Sequence, residues 1–412
     1  MKTYYIDPLH GRADADGLTP KTAINDYRSL PLESGDAVLF KRGSFIRARL
    51  ETTAGVTYSA YGEGDLPTFC GSVDASAQSD WEATDTPNVW KCLVKTKGDV
   101  GNFVFNNNEC TAALKWTMEE LCCQGDFYDT RFGEGKLTHN VFSEQNLYLY
   151  SVGNPAQVYS HIEVCPYGDR TMGTLRSGCT FENLRIMNSG LHGFAGEGEN
   201  ITVRGCSFIN IGGCAWNKER RIRFGNAVEF WVNAKNVVVE NCTFKNIYDS
   251  CVTHQGLRDK TPAAENFICR NNYFENYGMA AFEYRDKLPI ASTFENNTCM
   301  NAGCGFAMLG EEMPRNSEIY PQPMGHHIFL WRMSNSTPSG GLIIRNNIFG
   351  PSPNGAAIYS IISCMAEKQI TLEGNKFSKD KLILVHIGGK SFGNISAYTS
   401  TTGQDRGAVY ID

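Results

Sequence analysis

Between residues 180 and 303 short runs of alternating apolar and polar residues keep returning to one motif. ENLRIMNSG, RGCSFINIG, ENCTFKNIYD, RNNYFENYG and ENNTCMNAG are five copies of it. With Leu184, Cys206, Cys242, Asn272 and Asn297 aligned, asparagine recurs four residues on, at Asn188, Asn210, Asn246, Asn276 and Asn301. Glycine follows six residues on, at Gly190, Gly212, Gly278 and Gly303. IIRNNIFG around Asn347 and TLEGNKF around Asn375 keep the strand pattern but lose the turn asparagine. The shortest intervals, 22 and 25 residues, suit one triangular turn of three short strands, and longer intervals are the same turn with a loop inserted. Alternation such as Val237-Val238-Val239-Glu240-Asn241-Cys242-Thr243-Phe244 buries one face of a strand. Asparagine tolerates the left-handed conformation and bonds locally, so stacked copies can bond from coil to coil at one corner. A single coil cannot bury its own apolar face, and stacking makes the core. The pattern therefore predicts an all-β chain: a single-stranded right-handed parallel β-helix with an N-terminal cap and loop insertions.

One domain is expected over 1–412. Residues 1–80 read as the cap and first coils, with Thr19 and Pro20 as a helix start and strands in GDAVLFKRG and GVTYSAYG. Residues 81–160 break the rhythm and read as an insertion packed on the coils, with a helical stretch at Trp116–Cys123 and a strand at Asn146–Ser151. The main coils occupy 161–400, interrupted at 214–226 and 305–340.

Composition narrows the function. Charged residues make up 20% against 42% hydrophobic, which excludes a mainly disordered chain. A net charge of −6 is not the footprint of a nucleic-acid binder. No apolar run reaches membrane-spanning length, so neither nucleic acid nor membrane is an expected partner. The fifteen cysteines show no zinc spacing and read as packed thiols. The start, MKTYYIDPLHG, has no apolar signal core, so a cytoplasmic location is expected, or a secreted one for a chain whose signal has been removed. No metal and no cofactor is expected, and oligomeric state is not readable.

Asn236–Asn246 followed by Tyr248-Asp249-Ser250-Cys251 resembles the coil that carries the acidic pair of polygalacturonases. More broadly, residues 3–70 and 180–390 resemble the right-handed β-helix, pectate-lyase-like proteins of carbohydrate-degrading bacteria, which include glycoside hydrolases and polysaccharide lyases. The opening YYIDPLHGRADADGLTPKTA is similar to the N-terminal part of many of them. The paired acids of polygalacturonases are here Tyr248-Asp249, their Gly-His-Gly position is Tyr277-Gly278-Met279, and their Asn-Thr-Asp is absent. Only Asp249 carries over.

The resemblance implies that the strand after the asparagine corner lines a substrate groove. Aligning Ala227–Trp231, Cys251–Gln255 and Ala281–Arg285 turns Val228, Val252 and Phe282 inward, and Glu229, Thr253 and Glu283 outward with Trp231, Gln255 and Arg285. Asp249 shares the outward parity. His254 and Tyr284 have the opposite parity and reach the groove only where the strand ends or bulges. Glycoside hydrolysis needs two carboxylates on either side of the scissile bond. Asp249, Glu283 and Glu229 are the catalytic candidates, with Glu283 preferred as general acid and Asp249 as nucleophile or base. Candidate substrate contacts are His254, Gln255, Arg285, Tyr284, Trp231, Trp216 and Arg258. The aromatic side chains suit the apolar faces of sugar rings, and the basic stretch Asn217–Gly225 suits an acidic sugar or a solvated loop.

The expected function is a glycosidase, a hydrolase acting on an oligosaccharide or polysaccharide. A polysaccharide lyase on a uronate glycan is the alternative, with Lys218, Arg220, Arg221, Arg223 and Arg285 as available cations. A non-catalytic carbohydrate-binding β-helix is the third reading.

Overall fold

The computed structural model describes residues 1–131, 146–217, 221–256, 262–305, 325–331, 341–353, 355–360, 369–379 and 383–411. Its coils stack in parallel, in register, on three faces. The first face runs through Gly173–Leu175, the start of Phe194–Arg204, the start of Val228–Glu240, Ser250–Gln255, Ala280–Arg285, His326–Trp331 and Ile358–Ser360. The second begins with Thr3–Ile6, Ala37–Lys41 and Thr57–Tyr61 and ends with Ile370–Glu373. The third runs from Phe45–Ile46 through Arg185–Ser189, Ser207–Ile211, Thr243–Ile247, Tyr273–Tyr277 and Thr298–Ala302 to Val409–Ile411. Inward residues stack on their own kind. Phe208, Phe244 and Phe274 lie nearly parallel with centroids 5.1 and 4.8 Å apart, an offset stack that adds to the area buried.

The repeated asparagines build the corners. Asn188, Asn210, Asn246, Asn276 and Asn301 all have φ between 54° and 58°. Each amide donates to the side-chain oxygen of the coil before: Asn210 to Asn188 at 2.9 Å, Asn246 to Asn210 at 3.1 Å, Asn276 to Asn246 at 3.2 Å and Asn301 to Asn276 at 3.0 Å. A second ladder is fully buried. The backbone N–H groups of Cys242, Asn272, Asn297, Asn347 and Asn375 donate to the side-chain oxygens of Asn272, Asn297, Asn347, Asn375 and Asp405, at 2.9–3.1 Å. Asn347 and Asn375 lack the outer turn residue, yet they continue this inner ladder. The residue before a ladder position takes the left-handed turn at Asn241, Asn271, Asn296, Asn346 and Gly374, and at the last position Asp405 itself takes it. One outward row on the second face alternates in charge in cross-coil register: Glu182, Arg204, Glu240, Arg270, Glu295, Arg345, Glu373. Glu240 is buried between two half-exposed arginines, Arg204 and Arg270, and pairing with the coil beyond the neighbour would set like charges together.

The predicted helix at Thr19–Pro20 is a single 3-10 turn, Pro20–Thr22, capped by the Thr19 hydroxyl. The stretch Trp116–Cys123 likewise holds one turn, Met118–Glu120, because the Glu120 carboxylate takes the N–H groups of Trp116 and Thr117 and closes the chain there. The insertion, with the flanking strands Val73–Asp74 and Ile162–Pro166, forms two small sheets: an antiparallel one, Cys110–Thr111/Val100–Phe105/Ile162–Pro166/Val73–Asp74, and Ala113–Leu114/Asp126–Asp129/Leu147–Tyr150/Val89–Cys92/Trp81–Ala83, antiparallel except where Ala113–Leu114 runs parallel to Asp126–Asp129. They enclose an apolar cluster of their own. At the far end the helix Ile395–Thr402 places Tyr398 in the main core. Ten of the fourteen described cysteines are buried, and none of the fourteen forms a disulfide.

Candidate active site

The outer side of the first face opens into a cavity of about 860 Å³ whose wall includes His192, Trp216, Asn226, Glu229, Trp231, Asp249, Gln255, Arg285 and Trp331. Strand register places them. Glu229 pairs with Thr253, which pairs with Glu283, and Trp231 pairs with Gln255. Adjacent coils lie about 4.8 Å apart.

Glu229 is fully buried in the cavity wall, and both carboxylate oxygens are held. Oε2 lies 2.6 Å from His192 Nδ1 and accepts from Asn226 Nδ2 at 3.2 Å, while Oε1 accepts from Gln255 Nε2. Burial pushes this carboxyl up, but the charge and hydrogen bond of His192, with the bonds from Asn226 and Gln255, outweigh it and hold Glu229 below its ordinary value. Asn226 also accepts from the Ser250 N–H at 2.9 Å, tying Glu229 to the coil that carries Asp249. Asp249 sits at the corner before that strand, where its backbone C=O accepts from Met279 at 2.9 Å, and it lines the cavity at 2% exposure.

Glu283, the expected general acid, is fully buried and does not line the cavity. Oε2 accepts from Ser250 Oγ at 2.9 Å and Oε1 from Arg285 Nε. Arg285 in turn lies 4.5 Å over the Trp331 ring and reaches the cavity. Glu283 thus anchors a cation that faces the cavity and does not face it itself.

His254 and Tyr284, expected as substrate contacts, point into the core because the strands carry no bulge there. Tyr284 packs on Phe282 with centroids 4.1 Å apart. His254 is buried, lowered to about 4 by burial, and its Nε2 bonds the Val232 C=O at 3.2 Å. Val232 has φ 60°, rare for a β-branched residue, so His254 secures the turn beyond Trp231. Trp231 and Trp216 line the cavity at 42% and 37% exposure. Arg258 lies outside the described residues, as do Lys218, Arg220 and most of 305–340.

Trp216 is carried by the hairpin Cys214–Asn217/Ile222–Phe224, inside the expected 214–226 insertion. Its anchors are buried. Asp99 accepts from the Ala215 N–H at 2.8 Å, and Arg223 donates to the carbonyls of Gly213 and Gly101, each at 2.6 Å. Arg223 therefore serves the backbone and not the cavity. Asp99 is pushed up to about 7, first by burial and then by Asp129.

His192, Asn226 and the rim residues Tyr167, Asp169 and Arg170 were not among the expected contacts. Phe194 pairs with Val228 and Val228 with Val252, so His192, Asn226 and Ser250 share one row. Starting the strand alignment one coil earlier, at LHGF, would have found His192.

Residues 167–321 match the family described as the right handed beta helix region. No curated protein matches the chain. The native crystal structure of a GH136 lacto-N-biosidase from Eubacterium ramulus superposes with a TM-score of 0.53 at 14% identity, covering 93% of this chain and 57% of that one. Its selenomethionine derivative gives 0.52 at 15%, covering 94% and 62%. An alginate lyase from Paenibacillus sp. str. FPU-7 gives 0.45 at 10%, covering 100% and 98%. The chain spans about three fifths of the length of the lacto-N-biosidase. Register, corner geometry, the matched family region and the likeness to the lacto-N-biosidase structures agree on what the chain is: a right-handed parallel β-helix.

Proposed function

We propose that the protein is a carbohydrate-active enzyme, a glycoside hydrolase that cleaves an oligosaccharide or polysaccharide in the cavity on the first face. One observation carries the reading: two carboxylates, Glu229 and Asp249, sit in the wall of a cavity also lined by Trp216, Trp231 and Trp331. Aromatic faces take the apolar faces of sugar rings, and paired carboxylates supply the acid and the base or nucleophile. Hydrolysis needs one carboxyl ionised and the other protonated. Glu229, held ionised by His192, Asn226 and Gln255, takes the role of base or nucleophile. Asp249 takes the role of proton donor to the leaving oxygen. Arg285, fixed by Glu283 and Trp331, orients sugar hydroxyls. The assignment moves the acid from Glu283 to Asp249, because Glu283 is sealed behind Arg285.

A lyase acting on a uronate glycan is the second reading, favoured by Arg170 and Arg285 in the same wall. The test is wild type against Glu229→Gln and Asp249→Asn on a panel of aryl glycosides and plant, host and microbial oligosaccharides. Product is read as new reducing ends and as ultraviolet absorbance of a conjugated double bond. Reducing ends without absorbance, lost in both variants, is the expected result. Absorbance in step with reducing ends establishes the lyase. Tight binding with neither product leaves a carbohydrate-binding β-helix.

A further inference from the structure

Away from the cavity, the loop between the turn Met118–Glu120 and the strand Asp126–Asp129 gathers two thiols and a carboxylate, a donor set that zinc takes. Cys122 Sγ, Cys123 Sγ and an Asp126 carboxylate oxygen all lie within 4.8 Å of one another, both cysteines exposed and Asp126 buried. The two sulfurs are 3.7 Å apart. That is far beyond the roughly 2.05 Å of a disulfide. It matches two thiolates on one tetrahedral zinc, where bonds of about 2.3 Å set the sulfurs about 3.8 Å apart.

The arrangement is fixed by the loop. Asp126 Oδ2 accepts the backbone N–H groups of Cys122 and Cys123 at 3.0 and 2.8 Å, and the Asp126 N–H returns to the Cys123 C=O at 2.9 Å. Gly125, at φ 89°, makes the reversal and donates to the Tyr150 C=O at 3.0 Å. Gln124 is tied to Ser151 Oγ and Tyr159 OH at 3.1 and 2.8 Å. Binding therefore needs side-chain closure and no refolding of the backbone. Oδ1 lies 3.5 Å from Lys115 Nζ, a partly exposed ammonium that a cation would displace.

We infer that Cys122, Cys123 and Asp126 form a binding site for a thiophilic divalent cation of the zinc and cadmium class, with water completing the tetrahedron. Two thiol protons leave to solvent as the metal binds, so affinity rises with pH. Adjacent cysteines carry none of the spacing of a zinc motif, and only the fold of the loop onto Asp126 discloses the cluster.

Cadmium is the probe, titrated into the full-length chain kept reduced by a phosphine, because thiolate-to-cadmium charge transfer reports sulfur ligation directly. The expected result is an ultraviolet band that saturates at one ion per chain, is displaced by zinc, and disappears in Cys122→Ser and in Cys123→Ser. Both substitutions are at exposed positions, and circular dichroism checks that the fold is kept. The double variant Cys110→Ser/Cys304→Ser, which removes the other exposed described thiols, should retain the band. No band in reduced wild type, or a band that survives Cys122→Ser, overturns the site. So does a band that needs Cys110 or Cys304. The outcome is independent of any sugar chemistry in the cavity.

Discussion

Glu283→Gln separates an anchor from a catalyst. The substitution keeps the shape and the acceptor for Ser250 Oγ but removes the charge opposite Arg285. Glu283 is fully buried and the Arg285 side chain is 21% exposed. Removing one partner of a fully buried pair costs about 3–5 kcal/mol. The exposed part of the guanidinium is screened by solvent, so about 2–4 kcal/mol is expected here. Arg285 would also lose its fixed place over Trp331, and kcat/KM should fall by about tenfold to a hundredfold through poorer substrate orientation. A reacting carboxylate behaves differently: its loss costs about a hundredfold to ten-thousandfold in rate, and the fold need not suffer. The assay pairs thermal unfolding with kcat/KM on the glycoside found by the panel, with and without azide or formate. A small anion can replace a carboxylate that opens on the cavity, as in Glu229→Ala or Asp249→Ala. It cannot enter the sealed position of Glu283. A Glu283→Gln protein with an unchanged melting temperature and a rate lowered more than about a thousandfold, or a Glu283→Ala protein whose rate azide restored, would refute the reasoning.

Three further outcomes follow from the same geometry. Asn297→Ala removes the acceptor of the Asn272 N–H and the donor to the Cys269 C=O, at 2.9 and 3.0 Å. With two buried groups left unpaired at about 1–3 kcal/mol each, about 2–6 kcal/mol is lost, read as faster hydrogen exchange at the Asn272 amide. His192→Asn removes the group that holds Glu229 below its ordinary value. The acidic limb of the pH–rate profile should then move to higher pH, and an unmoved limb denies the pairing. Asp99 is buried, is raised to about 7, and its Oδ1 has no hydrogen bond among the described residues. Because the folded state keeps this proton while the unfolded chain has lost it, Asp99 lowers stability progressively between about pH 4 and pH 7. Neighbouring Asp129 reinforces this and Arg131 opposes it. Asp99→Asn should unfold at higher temperature than wild type at pH 8 and show no gain at pH 4, as measured by calorimetry.

The residues by themselves determined the coil. Asn188 to Asn301 at a fixed offset, with glycine two residues later, specified a repeated left-handed corner, because few residue types adopt that conformation without strain. Strand parity put Val228, Val252 and Phe282 inside and set Glu229, Thr253 and Glu283 in one row, because side chains alternate with period two. Parity alone turned His254 and Tyr284 inward, and expecting them as substrate contacts required a bulge that these strands do not have. Other features depended on residues far apart in the chain. Asn347 and Asn375 looked like degenerate copies until the coils stacked and showed a ladder running inside the wall. Glu283 and Glu229 are equivalent by pattern. Their difference comes from what lies across the neighbouring coils: Arg285 and Ser250 seal one, while His192, Asn226 and Gln255 hold the other beside the cavity. Trp216 gained its place only through Asp99 and Gly101 in the insertion, which hold its hairpin against the first face. Periodicity is a local property that the backbone enforces residue by residue. Which carboxylate meets a ligand is decided by burial and partner charge, and these exist only once distant coils and insertions have come together.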